Sequence, residues 1–398
     1  MSRAPEAVRS APDIGDRDAK PARRFGLLAL LGRSPVLVIV AVAVLLLAAV
    51  LAYPHHTPKH TKVKGTRTSL PAQGAVISDL AGYSLVSVGP TGAVTVAPFG
   101  DLSPRRTIPN FTASVYPQLP IESGQSVALV ADGQAFRVGS PPGAAPALLG
   151  TAATVFPSEI DDTVGAYTPG SGSSPATVRT LAVTGTATSS AAIPFPPAYT
   201  PVALLSDGFY LVLKANTLQL WDSARGLGQS AMVASYGNAS SVIAVSGTQF
   251  AWLDAANCDA HAECPLHITD AATGQGSLVA APPGYAGYLG VGAFDPVNAN
   301  LLAALVYDPV NNAPGARLAL LTRNPRGSWV PVLVPQSSLI PGKTVSGQVA
   351  WTPDGGHILF SGGYGPIHDY RLGDISAFET EQPASDAFAV IGKALPAP

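Results

Sequence analysis

Gln348-Val349-Ala350-Trp351-Thr352-Pro353-Asp354-Gly355-Gly356-His357-Ile358-Leu359-Phe360-Ser361 makes the rest of the chain readable: an apolar run, a Pro-Asp-Gly turn and a second apolar run. Proline presets the dihedral of a turn's first central residue, and glycine accepts the positive φ beyond Asp354, so the two runs predict an antiparallel hairpin. Weaker copies precede it. Gly292-Ala293-Phe294-Asp295-Pro296 is followed by a run at 300–306, Leu204-Leu205-Ser206-Asp207-Gly208 by 209–213, and a run from Val127 to Asp132-Gly133 by 136–138.

A second element recurs out of phase with the first. Leu218-Gln219-Leu220-Trp221-Asp222 ends at Gly226, Leu266-His267-Ile268-Thr269-Asp270 ends at Thr273-Gly274, and residues 178–185 have the same form. Alternating strands that stop at Asp or Thr-Gly turns fit the outer half of a four-stranded blade. The 40 Gly and 38 Pro punctuate short Val, Leu, Ala and Thr runs, and no long amphipathic helix pattern interrupts them. At about 40 to 50 residues per blade, residues 69–398 hold about seven. The expectation is an all-β domain, a β-propeller of about seven four-stranded blades. Residues 387–391 are apolar enough to close a blade, whereas the polar 379–385 before them read as a loop.

Residues 351–360 resemble the Trp-Ser-Pro-Asp-Gly element of TolB-type propellers, with Thr352 in place of serine, and Trp221-Asp222 is similar to the WD-repeat dipeptide. The Gly-His dipeptide of WD repeats has no counterpart here, so TolB-like propellers are the nearer analogy. The resemblance is good in one blade, partial in three or four, and poor before residue 125. It implies a scaffold and assigns no activity.

Ahead of this body stands a run of 17 apolar residues, 36–52, bracketed by Pro35 and Tyr53. As a helix it would measure about 26 Å, at the short end of what a bilayer core requires. Proline suits a first helical turn and tyrosine suits the headgroup level. No polar residue interrupts the run, so a span, 35–53, is expected rather than a core helix. Val50 and Ala52 would suit a signal-peptidase cut, but signal h-regions run to about 7 to 15 residues and begin nearer the N-terminus, which favours an uncleaved signal anchor. Lys20, Arg23, Arg24 and Arg33 before the span are matched by Lys59, Lys62, Lys64 and Arg67 after it. Arg3, Arg9 and Arg17 then tip the balance toward a cytoplasmic N-terminus. The head, 1–34, has the composition of a disordered segment. Residues 54–68, with His55, His56 and His60 among lysines and prolines, read as a juxtamembrane linker. A membrane anchor, a linker and a propeller together resemble envelope proteins of high-GC bacteria.

The two cysteines, Cys258 and Cys264, flank Asp259-Ala260-His261-Ala262-Glu263 between two strand-like runs. A disulfide stapling a hairpin loop is the expectation, and such a bond persists in an oxidising compartment, outside the cytoplasm. The alternative adds His261 and His267 as a zinc-type ligand array, although the spacing differs from the usual paired-cysteine sites.

Reactive constellations are harder to find. The sequence has no Gly-x-Ser-x-Gly elbow, no His-Glu-x-x-His and no phosphate-cradling loop followed by Lys and Ser or Thr. Charged residues make up 12% and the net charge is -2, so the basic footprint of a nucleic-acid binder is missing. Gly287, Gly290 and Gly292 lead into a strand-turn unit and predict close blade packing. Glu159, Asp161 and Asp162 cluster in a turn, the pattern of a solvated loop or, less directly, of a paired-acid site. Asp308, Asn311 and Asn312 offer oxygen ligands, but their Pro-rich context explains them as a hairpin turn. Trp221, Trp252, Trp329 and Trp351 are expected between blades rather than as sugar platforms. His357 and His368 lack a recognisable orienting partner. Asn110 and Asn238 begin sequons. With no cofactor or metal site expected, these residues fit an extracytoplasmic binding module for an envelope protein or wall component. A wall-polysaccharide lectin or hydrolase, using acids on one face, is the alternative.

Overall fold

In the computed structural model the described residues run from 80 to 392, apart from 90, 100–105, 115–125, 140–143, 185–186, 259–263, 286, 309–314, 335–346, 362–366, 373–376 and 381–386. They all belong to the unit Ser69–Pro398, and residues 1–68 lie wholly outside the described residues. So do the expected head, span and linker. Among the described residues, no helix is long and apolar enough to cross a membrane.

What is described is strand, relieved by short 3-10 turns. β1 (Tyr83–Val88), β2 (Ala93–Pro98) and β3 (Arg106–Thr112) form the first blade, and β4 (Ser126–Ala131), β5 (Gln134–Gly139) and β6 (Ala147–Thr151) the second. The third is β7 (Thr154–Phe156), β8 (Thr163–Thr168), β9 (Thr177–Ala182) and β10 (Ile193–Pro194). Next come β11 (Thr200–Leu204), β12 (Tyr210–Lys214), β13 (Thr217–Trp221) and the long β14 (Met232–Ser246), then β15 (Gln249–Asp254), β16 (Leu266–Asp270) and β17 (Gln275–Val279). The sixth blade is β18 (Tyr288–Phe294), β19 (Leu301–Asp308), β20 (Gly315–Arg323) and β21 (Trp329–Leu333). The seventh is β22 (Gln348–Trp351), β23 (His357–Ser361), β24 (Ile367–Arg371) and β25 (Ala377–Thr380).

The last strand, β26 (Ala387–Gly392), returns to the beginning and pairs antiparallel with β1, from Tyr83↔Gly392 to Val88↔Ala387. It is the inner strand of the first blade, whose other strands come from the start of the domain. Six sheets therefore make seven blades, because one of them holds seven strands: β14 pairs with β13 up to Asn238 and with β15 from Ala239 onward. The bend has Gly237 at φ 127°. Among the inner strands, β4 contacts β7, β7 contacts β11, β14 contacts β18, β18 contacts β22, β22 contacts β26 and β26 contacts β4, and the Ser206 N–H donates to the Gly247 carbonyl between the turns after β11 and β14. That closed ring of antiparallel sheets is a seven-bladed β-propeller.

One blade departs from the expected four strands. Only Ala152 and Ala153 separate β6 from β7, so the chain passes to the third blade without residues for a fourth strand in the second. Glu379, expected in a loop, lies in strand β25, paired with His368.

The hydrophobic core is divided among the seven gaps between blades. Val127 and Leu129 pack on Val86 and Val96, and Val155 and Val164 on Val130 and Ala135. Each tryptophan fills such a gap: Trp221 meets Phe156 and Val178, Trp252 meets Leu218 and Leu220, Trp329 meets Leu253 and Ile268, and Trp351 meets Leu305 and Leu318. Leu359 joins Leu85 and Val390 where the last blade meets the first. Burying an aromatic of this size contributes on the order of 3 to 5 kcal/mol relative to alanine. Glycine allows the tightest approaches. A Cβ on Gly292 would come 3.0 Å from Ile243 in the neighbouring blade, the close blade packing expected of this position. A Cβ on Gly165 would overlap the Phe156 ring.

Ring closure also has a polar clasp. The Gln348 side chain donates through Nε2 to the Phe388 carbonyl at 2.6 Å and accepts the Phe388 N–H through Oε1 at 2.9 Å. A side-chain amide of the seventh blade thus supplies both partners that an adjacent strand would have given to β26.

Candidate functional site

Inner strands run along the axis of a propeller, and their ends bring together residues far apart in sequence. Five of them, β7, β14, β18, β22 and β26, line a partly open axial cavity of about 180 Å3 at the end where inner strands turn into second strands. Its wall is largely apolar, with Val155, Ile243, Val349 and Val390 from four blades and the aromatic residues Phe156, Phe294 and Trp351. Two carboxyl groups join them: Glu159 from the turn after β7 and Asp295 from the turn after β18. Among the described residues, the lining contains no Lys, Arg, His or Cys.

Glu159 is half-buried, and its Oε2 accepts the N–H of Gly247 at 2.6 Å, spanning from the third blade to the fifth. The rest of the acidic cluster stays outside this cavity: Asp161 is exposed, and Asp162 sits in the left-handed region at φ 56° in the following turn. The solvated-loop expectation therefore fits Asp161 and fails for Glu159.

Asp295 is 4% exposed. Burial pushes its carboxyl up from the ordinary aspartate range, against the opposing effect of the Val297 and Asn298 backbone N–H groups, and the nearby Asp354 charge pushes it further. The Val297 N–H donates to Oδ1 at 2.8 Å. A Cβ on Gly355 (φ 69°) would come 2.5 Å from Asp295 Oδ1, so the carboxyl lies directly over the Pro353-Asp354-Gly355 turn. Glycine is required there on both counts.

Asp354 behaves in the opposite way. Burial alone would raise its carboxyl, but the neighbouring Tyr83 phenol, hydrogen bonds from the Thr352 hydroxyl and the Gly356 N–H, and the field of His357 together hold it below the usual range. The Thr352 Oγ1 to Asp354 Oδ1 distance is 2.7 Å. Burial, reinforced by Asp354, pushes the Tyr83 phenol up. Trp351 Nε1 donates to the Ala293 carbonyl at 2.8 Å and fixes the seventh blade against the sixth.

The other candidates lie elsewhere. His357 has the partner that sequence spacing concealed: its Nδ1 is 3.1 Å from both oxygens of Asp369, a pair buried in the sheet and absent from the cavity wall. The β23 to β24 register opposes Leu359 to Asp369, which brings the aspartate diagonally beside His357. His368 stacks on Phe360 at 5.3 Å. Cys258 and Cys264 are joined in a disulfide. His267 turns away from them, stacking on Trp252 at 4.4 Å with its Nε2 3.6 Å from Asp254 Oδ2. His261, Asn311 and Asn312 lie outside the described residues. Asn110 and Asn238 are both exposed, on β3 and β14.

The fold and this cavity define a seven-bladed propeller with two carboxyl groups at one end of its axis. Among solved structures the chain is similar to apo AztD from Citrobacter koseri, at 13% identity and a TM-score of 0.46, over 79% of this chain and 99% of that one. It is also similar to a putative TolB from Agrobacterium tumefaciens, at 13% identity and TM-score 0.42 over 69% and 95% of the two chains. Hsv2 from Kluyveromyces lactis matches at 12% identity and TM-score 0.43 over 64% and 73%. At these values the fold rests on the strand topology above, and no activity is carried over. No family model matches the sequence, and no curated protein matches it.

Proposed function

We propose that this protein is a non-enzymatic binding module of the cell envelope: an uncleaved single-span anchor at 35–53, a cytoplasmic head, and an extracytoplasmic propeller whose binding seat is the axial cavity. The cavity is the observation that carries this reading. A closed ring with an apolar, acid-bearing hollow on its axis suits capture of a small group. The disulfide fits an oxidising compartment.

Glu159 and Asp295 in one cavity also support the lectin or hydrolase reading. Size weighs against it for a polymer, because about 180 Å3 is below the range of about 300 to 1,000 Å3 usual for ligand pockets.

Two measurements on the full chain test the proposal. Protease added to intact cells should digest the propeller and spare an N-terminal tag. A photo-crosslinking residue placed at Ser246, on the cavity wall, should capture a ligand or partner that the same group at Leu278, on an exposed outer strand, does not. Equal capture at both positions removes the axial seat, and release of sugar from purified wall by the protein favours the hydrolase.

A further inference from the structure

The composition of the cavity wall selects a ligand class. Three aromatic residues, Phe156, Phe294 and Trp351, share it with the carboxyl groups of Glu159 and Asp295, and the described lining residues include no cationic side chain. Aromatic faces attract cations through the ring quadrupole, most strongly when desolvated. A carboxylate within a low-dielectric wall attracts a cation more strongly than one in water does. The remaining wall, Val155, Ile243, Val349 and Val390, favours carbon over water, so a bare metal ion would forfeit hydration without gaining ligands. The volume is close to that of a cavity known to hold a benzene-sized molecule, about 150 Å3. An organic cation of that size fits all three conditions.

We infer that the axial cavity binds a small free organic ammonium ion, its charged head toward Glu159 and Asp295 and its alkyl groups against the valine and aromatic wall. The inference rests on the axial cavity being the binding seat. Glu159 is the better of the two charge partners. Asp295 lies deeper, where it also orders the Val297 turn.

Calorimetric titration of the full chain in non-ionic detergent provides the test, with tetramethylammonium, choline and butylammonium as probes. Each is compared with an uncharged analogue of matched shape, such as 3,3-dimethylbutan-1-ol for choline. At least one ammonium ion should bind about tenfold or more tightly than its analogue. Glu159→Gln, which keeps an oxygen to accept the Gly247 N–H, should lower ammonium affinity by about tenfold while leaving the analogue and the melting temperature unchanged. Glu159→Lys should abolish ammonium binding. Equal affinity for ion and analogue, or an unchanged affinity in both variants, overturns the inference. If no probe binds at millimolar concentration while the group at Ser246 still captures a partner, the ammonium inference fails and the axial seat survives. If neither occurs, both fail.

Discussion

Asp295 and Asp354 follow the inner strands of successive blades, and their surroundings pull them apart. For Asp295 the folded carboxyl lies above its unfolded value, so its favourable contribution is complete below about pH 4 and is lost as pH rises through the folded pKa. Asp295→Asn retains an acceptor for Val297 and removes that ionisation. It should raise the melting temperature at pH 7, with the gain shrinking toward pH 4, and a thermal-melt series across pH reads this directly. Asp354, held low, contributes stability above about pH 4 that is lost as the medium becomes more acidic. Gln348→Ala leaves the Phe388 N–H and carbonyl without their partners and should cost about 1 to 3 kcal/mol in denaturant unfolding, with little change in slope. At this scale little of the site was legible beforehand. Glu159 was visible as one of three acids, yet nothing local distinguishes it from Asp161, because its partner Gly247 is 88 residues away. His357 and Asp369 are joined by a strand register that no spacing rule supplies.

Strands and turns were more legible, and the reason is local chemistry. Asp-Gly and Pro-Asp-Gly turns mark the hairpins β4 to β5, β11 to β12 and β22 to β23, since positive φ is met by glycine at 133, 208 and 355. Where that chemistry is missing, the sequence signal fades. The first blade has no such turn, because its inner strand β26 arrives from the other end of the domain. The fourth and fifth blades run together through β14 without a breaker strong enough to mark the junction. Two predictions belong to elements. Gly165→Ala forces its new methyl against Phe156 at the cavity wall and should cost about 1 to 3 kcal/mol, measured as a lower denaturant midpoint. Replacing both Cys258 and Cys264 by serine should cost about 2 kcal/mol, since the loop closed is short, and reductant should bring the wild-type protein to the same midpoint.

For the whole molecule, the repeat period predicted about seven blades and the structure has seven, one of them reduced to three described strands. The cavity was beyond sequence reading, since its wall draws on residues from Val155 to Val390 and exists only once the ring closes. Closure is therefore the point at which shape and binding are both gained. A chain ending at residue 386 should lose the cooperative unfolding transition, because β1 is left an unpaired edge and Leu85 loses Val390. Calorimetry checks it, and a sharp transition in the truncated chain would contradict the closing role of β26.

That same returning strand sets the timetable of biogenesis. An N-terminal propeller fragment emerging from a ribosome or a translocation channel holds β1, β2 and β3 from early on, yet the inner strand that completes their sheet is synthesised last. The domain cannot seal blade by blade as it is made; its first blade must wait, partly exposed, for about 275 further residues, a sequence separation that slows folding and invites aggregation. A cell making this protein at high level should therefore depend on holding chaperones until residue 392 has emerged.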